Sequence, residues 1–157
     1  MIITQIKYRT ILIFLTLIIN SNIYSQKVVD NITKCDLETI KNLRIHKDSL
    51  TDKLMTDFLF SIDNSCKNNV EWSEASNWTL FWLADIETKR FIDLLKSNQN
   101  ELNIQLIVEE FKQPVNDGID LIGIYKKIEK LNDKSELVIK ILDSIKSAAK
   151  GLGLEIK

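Results

Sequence analysis

"NNVEWSEASNWTLFWLAD", residues 68–85, carries all three tryptophans of the chain, Trp72, Trp78 and Trp82, within eleven positions. Its apolar residues recur at intervals of three and four rather than two, which is the period of a helix. At about 100° per residue, Trp72, Ala75, Trp78, Leu80, Trp82, Leu83 and Ile86 cover an arc of roughly 200°. An arc that wide predicts a central helix with neighbours on two sides and the tryptophans in the core. Ser73, Glu74, Asn77 and Asp85 fall on the opposite sector, as a solvated face would. Each buried indole N–H then needs an acceptor, and Glu71, Ser73, Glu74, Ser76 and Asn77 are near in sequence.

Phe81 breaks this pattern, because it projects into the polar sector between Asn77 and Asp85, with Glu74 on the same side. Phe60 does likewise. On a helix over 50–67 the apolar arc is Leu54, Met55, Phe58, Leu59, Ile62 and Cys66, and Phe60 sits opposite, among Lys53, Thr56, Asp57 and Lys67. Either a further helix covers these phenylalanines, or they are aromatic anchors ringed by charge, the composition of a protein-binding hot spot. Phe60, Phe81, Glu74 and Asp85 are therefore the candidate binding residues.

Outward from this stretch the same periodicity predicts seven helices, over 31–45, 50–67, 70–85, 88–97, 100–112, 119–131 and 135–150, joined by short connections. Asp30, Ser49 with Asp52, Asn69, Asn100, Asp117 and Asp133 are placed to cap them. "KQPVNDG" at 112–118 holds the single proline of the chain and is its clearest break. Gly151 and Gly153 suit a helix stop. The helix 100–112 has apolar residues on two faces. Those over 119–131 and 135–150 have one broad apolar face each and should lie outermost. The expected fold is all-α: a compact irregular bundle of about seven antiparallel helices, or a short solenoid-like stack of helical hairpins.

The N-terminus reads differently. Lys7 and Arg9 precede a largely apolar run, Ile11–Ile19, followed by polar residues and a small one, Ser25, before Gln26. This is the layout of a secretory signal peptide over 1–25, leaving a single helical domain over 26–157. A nine-residue run falls short of the roughly 20 residues a membrane span needs, so no stable membrane anchor is expected after its removal. With Lys7 and Arg9 gone, 19 basic residues face 22 acidic ones. That balance offers no footprint for nucleic acid.

An exported chain with two cysteines, Cys35 and Cys66, invites a disulfide. In a hairpin of helices 31–45 and 50–67, however, Cys66 overshoots Cys35 by about a turn unless residues 46–49 run extended. Catalytic signals are few. His46 is the lone histidine and falls in a turn, where a solvated role is expected. No His/Cys cluster has zinc-ligand spacing. Glu71 and Glu74, near a helix start, suit solvent and the helix dipole better than acid–base work. "NDGID" at 116–120 lacks the alternating acids and closing glutamate of a calcium loop. We expect no cofactor, no metal and no enzymatic activity.

In size and helical class the chain is similar to immunity proteins that block cell-wall-degrading toxins in the periplasm, and the likeness rests on those two properties alone. The expected function is that of an exported, periplasmic or secreted, protein that binds a protein partner. A carrier enclosing a small apolar ligand between helices 70–85 and 100–112 is the alternative. Mass spectrometry of protein expressed with its leader should find a chain beginning near Gln26; an intact Met1 terminus in a membrane fraction would contradict export.

Overall fold

A computed structural model describes residues 32–156 of the protein; the expected leader over 1–25 and the cap expected at Asp30 lie outside the described residues. Those described are helical with no strand among them, as the apolar periodicity requires. Seven α-helices follow one another: α1 (Leu37–Ile45), α2 (Asp52–Ser61), α3 (Val70–Ile86), α4 (Thr88–Ser97), α5 (Ile104–Glu110), α6 (Leu121–Lys130) and α7 (Glu136–Gly151). Short 3-10 turns occupy Lys47–Ser49 and Asn64–Asn68.

The helices fall where the sequence places them, but most begin later. Asn69 caps α3 as expected, its side chain accepting the Trp72 N–H. Elsewhere a second polar residue two or three positions downstream takes the role: Thr51 for α2, Asn103 for α5 and Asp120 for α6. Each accepts an amide of the first turn, so the cap forms at the last polar residue before the apolar run is committed to the core. Asp36 caps α1. Asp133, expected to cap the last helix, instead accepts the Ser135 N–H, and Ser135 stands at the cap position.

Helix α3 is the hub, packing against α1, α4 and α6. Around it α2 joins α1 to α4, and α7 lies on α6 and α5. Because α3 touches elements both before and after it that are not its chain neighbours, the arrangement is a bundle and not a stack in which each unit meets only the next. Phe58, Phe81, Phe91 and Phe111 are among the largest fully buried side chains. Phe111 lies edge-on to Phe81 at 5.0 Å and to Phe91 at 6.2 Å, the geometry aromatic quadrupoles favour. The helices α6 and α7 each bury one face, Leu121, Ile124 and Ile128 on the first and Val138, Ile141 and Ile145 on the second, as outer helices do.

Polar contacts fix the periphery. The Arg90 guanidinium pairs with Asp52 and donates to the Leu50 carbonyl at 2.9 Å, tying α4 to the start of α2. The Lys96 ammonium lies 2.5 Å from Asp133 and, with the Ser135 amide, holds that carboxyl far below the usual carboxylate range.

Cys35 and Cys66 are bridged, with Cα atoms 5.4 Å apart. The overshoot expected from a helical hairpin does not arise, because both cysteines lie outside the helices. Cys35 precedes α1, and α2 ends at Ser61, after which the chain doubles back through Asn64–Asn68. The Cys35 N–H donates to the Ser61 carbonyl at 3.1 Å, and the Lys34 ammonium to the Phe60 carbonyl at 2.6 Å. These contacts and the bridge hold Cys35 at a left-handed φ of 57°, which residues other than glycine seldom adopt. The bridge closes 31 positions of chain, a constraint on the unfolded state worth about 3–4 kcal/mol. Urea unfolding of the Cys35→Ala/Cys66→Ala variant should show a stability lower by about that amount; a midpoint equal to the parent's would mean that the bridge contributes nothing.

Candidate functional site

The inward face of α3 is not the one its apolar residues predict. Buried along it are Trp72, Ser76, Asn77, Thr79, Leu80, Phe81, Leu83 and Ala84. Only Trp72, Leu80 and Leu83 belong to the arc expected in the core. The true inward arc is rotated by roughly 100°, one residue step. Three polar side chains make this possible because each is satisfied inside. Ser76 donates to the Ser73 carbonyl and Thr79 to the Ala75 carbonyl, the back-bonding open to hydroxyls within a helix.

Asn77 does more. Its amide NH2 donates toward the Glu110 carbonyl (3.0 Å), the Glu110 carboxylate (2.8 Å) and the Gln113 carbonyl (3.1 Å), and its oxygen accepts the Val115 N–H (3.1 Å). The fully buried amide thus gathers the backbone of the break after α5, where Pro114 can donate no hydrogen bond of its own.

The rotation buries Phe81, and Phe60, on α2, is buried as well, so both phenylalanines expected as surface anchors lie inside. Phe81 is 1% exposed and Phe60 5% exposed, so neither can contact a partner, and the expectation of a further element covering that side is the one met. Phe81 packs on Phe111, at the end of α5. Glu74 is exposed and Asp85 half-buried, so the two acidic candidates stand at the surface without their aromatic companions.

Their place is taken by tryptophans. Trp78 and Trp82, four positions apart, are half-buried on the outward arc of α3. Their rings stack 6.0 Å apart with planes inclined by 11°. The Arg44 guanidinium, from α1, sits 4.9 Å from the Trp78 centroid, within cation–π range. On the same arc lie Glu71, Glu74, Asp85 and Ile86, with Val70 at the helix start; Val70 is 67% exposed and Ile86 45%. The Lys127 ammonium bonds both the carboxylate (2.5 Å) and the carbonyl (3.0 Å) of Asp85, fixing its position beside Trp82. Of the three tryptophans only Trp72 is core, and its indole N–H has no partner among the described residues, so the nearby polar side chains do not serve as the acceptors expected of them.

A cleft of about 630 Å³ opens between α3 and α5, lined by Ser73, Glu74, Asn103, Gln105, Leu106 and Glu109 among others. Amides and carboxylates share its walls with apolar surface from Val70, Leu106 and Val115. His46 is exposed at the end of α1. Among the described residues no group of three or more His, Cys, Asp or Glu side chains is placed to hold a metal ion, and no helix is long and apolar enough to cross a membrane.

Compared with protein-family models, with curated proteins and with solved structures, the chain has no match in any of the three.

One sequence signal could have separated the two aromatic populations: Phe81 is four positions from Asn77, so whichever way the amide faces, the phenylalanine follows. Phe81→Ala should lower stability by about 3–5 kcal/mol, whereas Trp82→Ala, which removes a half-exposed ring, should cost less than about 2 kcal/mol. Urea unfolding of the two variants measures this, and equal losses would place the tryptophan stack in the core.

Proposed function

We propose that this protein is exported and acts, without catalysis, by binding another protein through the Trp78–Trp82 face of α3, in the manner of an inhibitor or immunity-type protein. One observation carries the reading. Two tryptophans stand stacked at the middle of an outward helix face, with an arginine over one ring and carboxylates on both sides. Tryptophan and arginine are the residues most enriched in binding hot spots, and a tryptophan left half-exposed on a helix whose other face supplies the core offers apolar area to a partner at little conformational cost. Ile86, 45% exposed, lengthens the apolar strip beyond Trp82. The leader-like first 25 residues and the disulfide both fit a route into an oxidising compartment.

The test is affinity capture from the cells that make the protein, followed by titration of the purified captured protein. Trp82→Ala should bind about 30-fold more weakly, the loss of roughly 2 kcal/mol that marks a hot spot, while unfolding near the parent's midpoint. Unchanged affinity would remove the stack from the interface.

A further inference from the structure

Beside the stack, α3 and the segment 118–124 enclose a small cleft of about 180 Å³ lined by Trp78, Phe81, Trp82, Asp85, Asp120 and Ile124, with Gly118 and Ile119 completing it. Phe81 and Ile124 are fully buried, so they form its floor. Asp85 is half-buried and Asp120 exposed, so the carboxylates stand at its mouth. An apolar, aromatic-walled recess with negative charge at the opening matches a long aliphatic stem ending in a cation. We propose that this cleft receives a lysine or arginine side chain of the protein partner, an inference that rests on the Trp78–Trp82 face being the binding surface.

The charges around the cleft favour this occupant over others. Asp85 and Asp120 are the charged residues of its lining, so an anionic group would meet two carboxylates, of which Asp85 is paired with Lys127. A purely apolar side chain would strip water from the two at the mouth and return nothing. Asp120 makes, among the described residues, one side-chain bond: its Oδ1 accepts the Gly123 N–H at 2.9 Å as the cap of α6. Its position depends on glycine at 123, where an added Cβ would come within 2.2 Å of Asp120 Oδ2. Asp85 is shared with Lys127, but that pair is open to solvent, with the Lys127 and Asp85 side chains 51% and 39% exposed, and such a pair is weak enough to admit a second cation. The chain itself supplies the precedent, since Arg44 already seats its guanidinium over Trp78.

The experiment titrates full-length mature protein with N-acetyl-argininamide and N-acetyl-lysinamide, following the three indole N–H signals by NMR, with N-acetyl-glutaminamide as the uncharged control. Saturable shifts of the Trp82 indole in the millimolar range are expected for the cations alone, weakened by added salt. Asp85→Asn/Asp120→Asn should weaken them about threefold to tenfold. That variant keeps its fold because asparagine caps a helix as well as aspartate does, and unchanged spectra outside the cleft verify it. Equal shifts from the neutral control, or an unchanged response in the variant, would overturn the cation site. So would the absence of any saturable shift. If a captured partner still requires Trp82 but binds the Asn variant as tightly as the parent, the binding face stands and the cation does not; if Trp82 is dispensable as well, both are overturned.

Discussion

The architecture depends on one buried amide. Asn77 sits at the middle of the central helix with no exposure to water, so its donors and acceptor must all be met by protein. The groups that meet them belong to the last residue of α5 and the turn after it, more than thirty positions later. This fixes the roll of α3 about its own axis. Phe81, one turn along on the same side, is carried inward against Phe111. Trp78 and Trp82, one residue step around the helix from Asn77 and Phe81, are carried outward. An asparagine that holds a connection therefore decides which aromatic residues become core and which become surface.

Much of the fold can be read from the sequence because it follows from local chemistry. Seven apolar stripes of helical period yield seven helices, and the proline-containing break at 112–118 falls between α5 and α6. The ends of the helices are less legible. Where two polar residues precede an apolar run, as Asn100 and Asn103 do, either can cap in isolation, and tertiary packing chooses the nearer one. The cysteine pairing is an expectation that the two lone cysteines raise, but its geometry does not follow from a hairpin of uninterrupted helices, because α2 ends early at Ser61 and Cys66 lies in the short turn Asn64–Asn68 beyond it.

The face of α3 is where local reading fails, and for a definable reason. Sorting residues by polarity places Ser76, Asn77 and Thr79 outside and tryptophan inside. Burial is set by whether a polar group finds partners, and here two hydroxyls find carbonyls in their own helix while Asn77 finds a distant turn. That last set of partners cannot be located from local sequence. The surface position of Glu74 and Asp85 is legible because charged side chains seldom forgo solvent. The aromatic side chains at the surface of α3 are Trp78 and Trp82, while Phe60 and Phe81, which polarity alone places outside, are buried.

All the indoles of the protein reside on one helix, and they occupy two unlike surroundings. Trp72 is enclosed by the core, whereas Trp78 and Trp82 form a stacked, part-solvated couple close enough for their electronic transitions to mix. Ultraviolet absorption and emission therefore describe α3 and little else. The tryptophan signal of this molecule is that of its hub, with a blue component from the enclosed ring and a red one from the outer couple, while α6 adds a single tyrosine, Tyr125, and α7 no tyrosine or tryptophan.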